Sequence, residues 1–225
     1  MPTFSILALT PCLQAEPAIA IAACRAGEIG VVDLEYCSAE VAATAVRRLA
    51  QGSDAAFGIR FGRTMLLDSL PNRAKLIIVT ADNPLSPALI ERLHIEGRQV
   101  WVEITAGEQI APALATAAYG LIARGHEAGG PGAPETTFIL LQRLLASTER
   151  PVLAHGGIGM HSAAACRAPA LPVWCWMSNS AWPVNRRCRK MCSRHFVAST
   201  AARRCVSALS WAPHSAFFNT LPIRR

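Results

Sequence analysis

The chain has 225 residues, 52% of them hydrophobic and 16% charged, with a net charge of +7 at neutral pH. That length suits one domain with a sizeable core, slightly short of the ~250 residues of a full (β/α)₈ barrel, and the composition excludes a disordered chain. No apolar run reaches the ~18 residues of a membrane span, and no basic-then-apolar segment follows Met1, so neither a membrane protein nor a secretory leader is expected and the cytoplasm is the expected location.

The charge is unevenly placed. Residues 1–165 hold 12 Lys and Arg against all 15 Asp and Glu, whereas residues 166–225 hold 10 Lys and Arg and no acid. The same boundary sorts other types: the last 60 residues carry 5 of the 8 Cys, 4 of the 5 Trp and none of the 15 Gly. The basic excess belongs to the tail, so the overall charge is no argument for a nucleic-acid partner. The two parts, 1–165 and 166–225, are read separately.

In the first part short apolar runs alternate with helical stretches, the pattern of repeated βα units. Phe4 to Leu9 reads as a strand ended by Thr10-Pro11, and Ala18 to Ala26 as a small-residue helix close to a sheet. Ile29 to Leu34 is a second strand. Ser38 caps the next helix with Glu40 in its first turn, and Val41, Ala45, Val46 and Leu49 mark its inner face. Ala55 to Phe61 and Leu76 to Thr80 follow as strands, the latter apolar throughout and suited to burial on both faces. Ser86-Pro87 opens a helix running to Glu96, stopped by Gly97. Val100 to Ile104 is a fifth strand, Gln109 to Tyr119 a helix, and Gly120 to Ala123 a sixth strand. Thr136 or Thr137 caps a helix with Leu140, Leu141, Leu144 and Leu145 inside, before a seventh strand at Pro151 to Ala154. Seven strands at this spacing fit a barrel or an open doubly wound sheet. The barrel is preferred, because glycine loops follow the last two strands, where barrel enzymes often hold a phosphate.

Those loops carry the chemistry. Gly125-His126-Glu127-Ala128-Gly129-Gly130-Pro131-Gly132 follows the sixth strand, and Gly156-Gly157-Ile158-Gly159 the seventh. Glycine lets main-chain N–H groups approach an anion without a Cβ in the way. Two such loops one βα unit apart suit a single phosphate, with Gly125, Glu127, Ala128, Gly129, Gly130, Gly156 and Gly157 as candidate binding residues. His126 and His155 border the loops and titrate near neutrality, though each is more simply read as bonding a loop carbonyl. Glu127 is read as a cap for a loop N–H. Glu103, at the end of the fifth strand, could face the ligand, but as a lone carboxylate it is read as solvated or capped.

The stretch Tyr119-Gly120-Leu121-Ile122-Ala123-Arg124-Gly125-His126-Glu127-Ala128-Gly129-Gly130, with Pro151-Val152-Leu153-Ala154-His155-Gly156-Gly157-Ile158-Gly159, resembles the nitronate monooxygenase (2-nitropropane dioxygenase) family. Thr136 to Gln142 and Ala8-Leu9-Thr10-Pro11 are similar to the version embedded in type I polyketide and polyunsaturated-fatty-acid synthases. The resemblance covers nearly all of residues 3–165. It implies an FMN-dependent α/β chain of the (β/α)₈ TIM-barrel type with NADPH as a possible reductant. It further implies a small-molecule or acyl-thioester substrate, and acyl-carrier or synthase domains as partners. The family usually places a catalytic histidine directly after Glu-Ala-Gly-Gly, where this chain has Pro131. Proline can neither take nor give a proton, so no catalytic residue is assigned. A reductase role, or a non-catalytic domain kept as a scaffold, gains over nitronate oxidation.

From Cys166 the βα rhythm stops, and the barrel is expected to be incomplete with an irregular tail. We read the tail as out-of-frame translation. Val173-Trp174-Cys175-Trp176-Met177 must be encoded GTN TGG TGY TGG ATG. Read from each third base, this gives (Val/Leu/Met)-Val-Leu-Asp, an apolar strand ending in a carboxylate. The same shift over Arg167 to Pro172 permits Gly-Ala-Gly-Ala-Ala-Gly, and over Arg189 to Cys192 permits Glu-Asp-Val-Gln. A competing reading takes Cys188, Cys192, His195 and Cys205 as zinc ligands on a basic module, but their spacing lacks the paired knuckles of common zinc sites. An eighth strand lost in this way would leave two unpaired edges and weaken flavin binding.

Overall fold

The computed structural model describes residues 6–12, 14–60, 67, 69–130, 133–158 and 173–178. All of them lie in the first of the two units into which the chain divides, Met1–Pro183. The strands are β1 (Ile6–Leu9), β2 (Ile29–Asp33), β3 (Phe57–Arg60), β4 (Ala74–Thr80), β5 (Gln99–Ile104), β6 (Gly120–Arg124), β7 (Val152–His155) and β8 (Val173–Ser178). The helices are α1 (Ala18–Arg25), α2 (Ala39–Gly52), α3 (Pro87–Ile95), α4 (Ile110–Leu114) and α5 (Thr137–Ser147). The strands pair in chain order, all parallel, and β8 returns to β1 to close a barrel. None of the described helices is long and apolar enough to cross a membrane.

The expected α/β barrel is present, with five α-helices and eight strands among the described residues. The expectation of two open edges is corrected. Val173–Ser178 lies between β7 and β1, with Leu153 opposite Trp174 and Leu7 opposite Trp176 in register. The physical reason is that a parallel ladder is made by backbone groups, which any apolar run can offer. Valine and leucine codons of the GTG and CTG kind turn into Trp and Cys codons when shifted by one base, so the run stays apolar in either frame.

Helix starts follow the side chains read as caps. Ser38 accepts from Val41 N at 3.4 Å, Ser86 from Leu89 N at 3.3 Å, and Thr136, not Thr137, from Ile139 N at 3.3 Å. The inner face of α2 is Ala42, Ala45, Val46 and Leu49, and Val41 is exposed. The helix expected from Gln109 to Tyr119 is a 3₁₀ turn at Gly107–Gln109 and then only Ile110–Leu114. Its end is held from outside: Arg150 donates to the carbonyls of Leu114 at 3.2 Å and Thr116 at 2.9 Å, so those carbonyls need no further helical turn.

Alternation along each strand separates two apolar clusters. One parity packs under the helices, including Val32, Ile59, Ile77, Val102, Leu121 and Val152. The other fills the barrel interior with Leu7, Leu9, Val31, Leu76, Ile78, Trp101, Ile122 and Leu153. Trp101 is the largest of these and is fully buried. It fits because its register partner on β6 is Gly120. A Cβ there would stand 2.5 Å from the indole and 2.7 Å from the Pro151 carbonyl. Gly120→Ala is expected to lower stability by about 1–3 kcal/mol through overpacking, read as a fall in the urea unfolding midpoint.

Candidate functional site

Two residues beyond Val31, Gly58, Trp101, Ile122 and Leu153 on the inward parity stand Asp33, Arg60, Glu103, Arg124 and His155, all buried. Five strands therefore carry, at or next to their last residue, a polar or charged side chain directed into the mouth of the barrel, the end where barrel enzymes place their chemistry. Arg60 is the hub. Its Nη1 donates to Asp33 Oδ2 at 3.0 Å, its Nε to Glu103 Oε2 at 3.1 Å and its Nη2 to Glu103 Oε1 at 2.7 Å. Glu35 adds a third carboxylate at 2.5 Å. Glu103 also meets His155 Nδ1 at 3.3 Å and Arg124 Nε at 3.6 Å. Asp33 is fixed from just past β1, where Thr10 Oγ1 accepts from its N–H at 2.8 Å.

Burial alone would raise the Glu103 carboxyl, but the Arg60 charge and the His155 contact outweigh it and hold it well below the usual carboxylate range. Burial works against the Arg60 cation too, and Glu103 and Asp33 more than restore it. For His155 burial prevails over Glu103 and lowers its pKa below 6.5, so the ring is neutral at neutral pH. Cys12, just past β1, has its thiol pushed up by burial and then by Asp33, which leaves it a weak nucleophile.

The two glycine turns sit above this layer and abut each other. Gly130, Gly156 and Gly157 have φ of 93°, 119° and 63°, backbone that L side chains rarely adopt. A Cβ on Gly156 would stand 2.7 Å from Ala128 N and 2.7 Å from Thr137 Oγ1. Gly125 N donates to the His155 carbonyl at 3.1 Å and Ala128 N to the Gly125 carbonyl at 3.1 Å. These two candidates shape the loop with their N–H groups. By contrast, among the described residues no carbonyl accepts from the N–H of Gly129, Gly130 or Gly156.

Glu127 does act as a cap. Its Oε2 accepts from Thr137 N at 3.0 Å and lies 2.9 Å from Thr137 Oγ1. Slight burial raises its carboxyl, and the bonds from Thr137 bring it below the ordinary value. Thr137 Oγ1 also lies 3.1 Å from the His155 carbonyl, so this buried hydroxyl pins one turn to the other. Thr137→Val, similar in volume but without the hydroxyl, is expected to cost about 1–2 kcal/mol, seen as a lower thermal midpoint.

The reading of Glu103 as a lone solvated carboxylate is corrected: it is buried and bound by Arg60, His155 and Arg124. The reading of His155 as bonding a loop carbonyl is corrected: its own carbonyl accepts from Gly125 N and Thr137 Oγ1, and its ring turns inward to Glu103. His126 is exposed and stands apart from the charged layer. Asp33, Arg60 and Arg124 were not singled out by sequence. The signal was present as a charge at inward parity closing each apolar run. Pro131, Gly159 and the cysteines and histidine read as zinc ligands lie outside the described residues. Among the described residues no group of three His, Cys, Asp or Glu is placed to hold a metal, and Cys12, Cys24 and Cys37 are free thiols.

Among solved structures, nitroalkane oxidase from Streptomyces ansochromogenes is similar, with a TM-score of 0.65 and 20% identity over 76% of this chain and 64% of that one. FabK from Thermotoga maritima has a TM-score of 0.64 and 24% identity over 77% of this chain and 57% of that one. The chain thus spans less than two thirds of the length of either. Thiamine phosphate pyrophosphorylase from Pyrococcus furiosus, at 13% identity and a TM-score of 0.60, shares the barrel over 92% of this chain and 96% of its own. Among curated proteins none matches the sequence significantly. The family profile described as nitronate monooxygenase matches residues 14–168, a span that contains β2 to β7, both glycine turns and every member of the charged layer. The chain belongs to the nitronate monooxygenase family.

Proposed function

We propose that this chain is an FMN-dependent oxidoreductase domain whose barrel mouth holds the flavin phosphate on the two glycine turns. The observation that carries the reading is the pair of abutting turns at the ends of β6 and β7, with the N–H groups of Gly129, Gly130 and Gly156 accepted by no carbonyl among the described residues. Such donors fit a phosphate, which binds by backbone amides at glycine turns. Gly125, Glu127, Ala128 and Gly157 complete the proposed binding set by shaping the turns. When bound, the flavin supplies the redox chemistry. The chain's own residues supply a closed floor and a buried charged layer beneath the cofactor.

Pro131 directs the reading away from proton abstraction from nitroalkanes and toward reduction of a small-molecule or acyl-thioester substrate with NADPH as electron source. Membership of a polyketide or fatty-acid synthase, with acyl-carrier domains as partners and a cytoplasmic setting, belongs to the same proposal, and its support is the sequence around Thr136 to Gln142. We also propose that residues 166–225 are translated out of frame and impair the site. Sequencing the DNA for residues 160–170 decides this, an uninterrupted frame shared with close relatives being the adverse result.

The functional test is reconstitution with FMN, followed by gel filtration and absorbance of the protein peak. Retained flavin that NADPH bleaches supports the oxidoreductase. Pro131 favours a second reading, a flavin domain kept as a scaffold, for which bound flavin would resist NADPH even after frame repair. A frame-repaired chain that retains no flavin sinks both.

A further inference from the structure

Arg124, the last residue of β6, links the charged layer to the glycine turn above it. It is 5% exposed, and its Nη2 donates to the Gly129 carbonyl at 2.6 Å. Behind it, Glu103 Oε1 lies 3.6 Å from its Nε, and Glu103 is itself held by Arg60. The guanidinium also packs on the turn: a Cβ on Gly130 would stand 3.0 Å from Arg124 Nη2 and 3.0 Å from Cys12 Sγ.

The peptide that carries the Gly129 carbonyl also carries the Gly130 N–H. Among the described residues no peptide bond is cis, and in a trans peptide the C=O and N–H point in opposite directions. A carbonyl drawn down to Arg124 therefore turns the Gly130 N–H up and away from the barrel. A charged donor on the oxygen also polarises the amide, which makes its N–H a stronger donor.

We propose that Arg124 is a positioning residue that aims the Gly130 N–H out of the barrel mouth and strengthens it toward an anionic ligand group. The group would be the FMN phosphate, in the reading on which this rests. Arg124 does not touch the ligand in this arrangement. It acts through the peptide between Gly129 and Gly130, with Glu103 as its anchor.

The sequence makes a direct test practical, because Gly129-Gly130 and Gly156-Gly157 are its only adjacent glycine pairs. Glycine labelled with ¹³C at the carbonyl and ¹⁵N gives two carbonyl-coupled amide signals, Gly130 and the internal control Gly157. Arg124→Met is expected to shift the Gly130 ¹⁵N and the Gly129 carbonyl while Gly157 stays in place. Arg124→Lys, which keeps a charged donor, shifts them in the same direction by less, and it carries the test if the methionine variant does not fold. Inorganic phosphate is expected to move Gly130 in the native chain, and less in either variant. FMN affinity is expected to fall by about tenfold or more in Arg124→Met, with riboflavin, which lacks the phosphate, little changed.

An unmoved Gly130 signal in both variants overturns the proposal. So does FMN affinity equal to that of the native chain. If the native chain binds FMN and the variants bind it as well, the flavin reading survives and this one falls. If phosphate moves Gly130 in the native chain and FMN does not bind, the flavin reading falls and this one stands. A native Gly130 that responds to neither ends both.

Discussion

Arg60→Met is expected to lower the stability of the barrel by about 3–5 kcal/mol, enough to unfold a marginal domain. The variant leaves Asp33 and Glu103 buried with their shared cation removed, and Glu35 loses its partner at the rim. A buried charge without a counter-charge is far worse than no charge at all. Urea unfolding followed by circular dichroism measures the effect. A loss under about 1 kcal/mol, the range of an exposed ion pair, would show that the cluster is solvated.

The acid side of the stability curve gives a second readout of the same cluster. Glu103 has a folded pKa held below its ordinary 4.5, so the unfolded chain binds its proton more readily. Its contribution is complete above about pH 4.5 and drains away as the pH falls further. The native urea midpoint should therefore decline below that pH. The decline should be shallower in Arg60→Met, where the cation that lowers the Glu103 pKa is missing.

Gly156→Ala is expected to remove FMN binding and to cost about 2–5 kcal/mol, combining strained backbone with overpacking. Its φ of 119° disfavours any side chain, and the added Cβ would strike Ala128 N, a backbone atom that cannot swing aside. Gly27→Ala separates the two terms, since Gly27 has φ of 89° and nothing within 4 Å of the Cβ position. Its cost should be only about 1–2 kcal/mol, with flavin titration unchanged. If both variants bind FMN as the native chain does, the two turns do not hold the phosphate.

The barrel was legible because its cues are local. Apolar runs bounded by Ser38, Ser86 and Thr136 start helices where those side chains can cap them, and glycine loops mark the ends of β6 and β7. What escaped was decided by partners remote in sequence. Val41 and Ala42 both fit a helical face, and the packing of α2 buries only Ala42. The α4 helix stops early because Arg150, 34 residues beyond Thr116, takes its carbonyls. Glu103 looked solitary because its partner Arg60 is 43 residues away. Placing β7 one residue short also hid the inward direction of His155, since parity in a strand turns on a single residue. The eighth strand was discounted on its side-chain types, although the ladder depends on backbone.

Surface pairs such as Arg48–Glu16, with both side chains about half exposed, weaken as electrolyte is added, because mobile ions crowd around them. The Arg60 cluster, at 2% exposure, admits no such ions. Sodium chloride should therefore leave its contribution nearly intact, and a molecule entering the barrel meets almost the same field in dilute buffer as in brine.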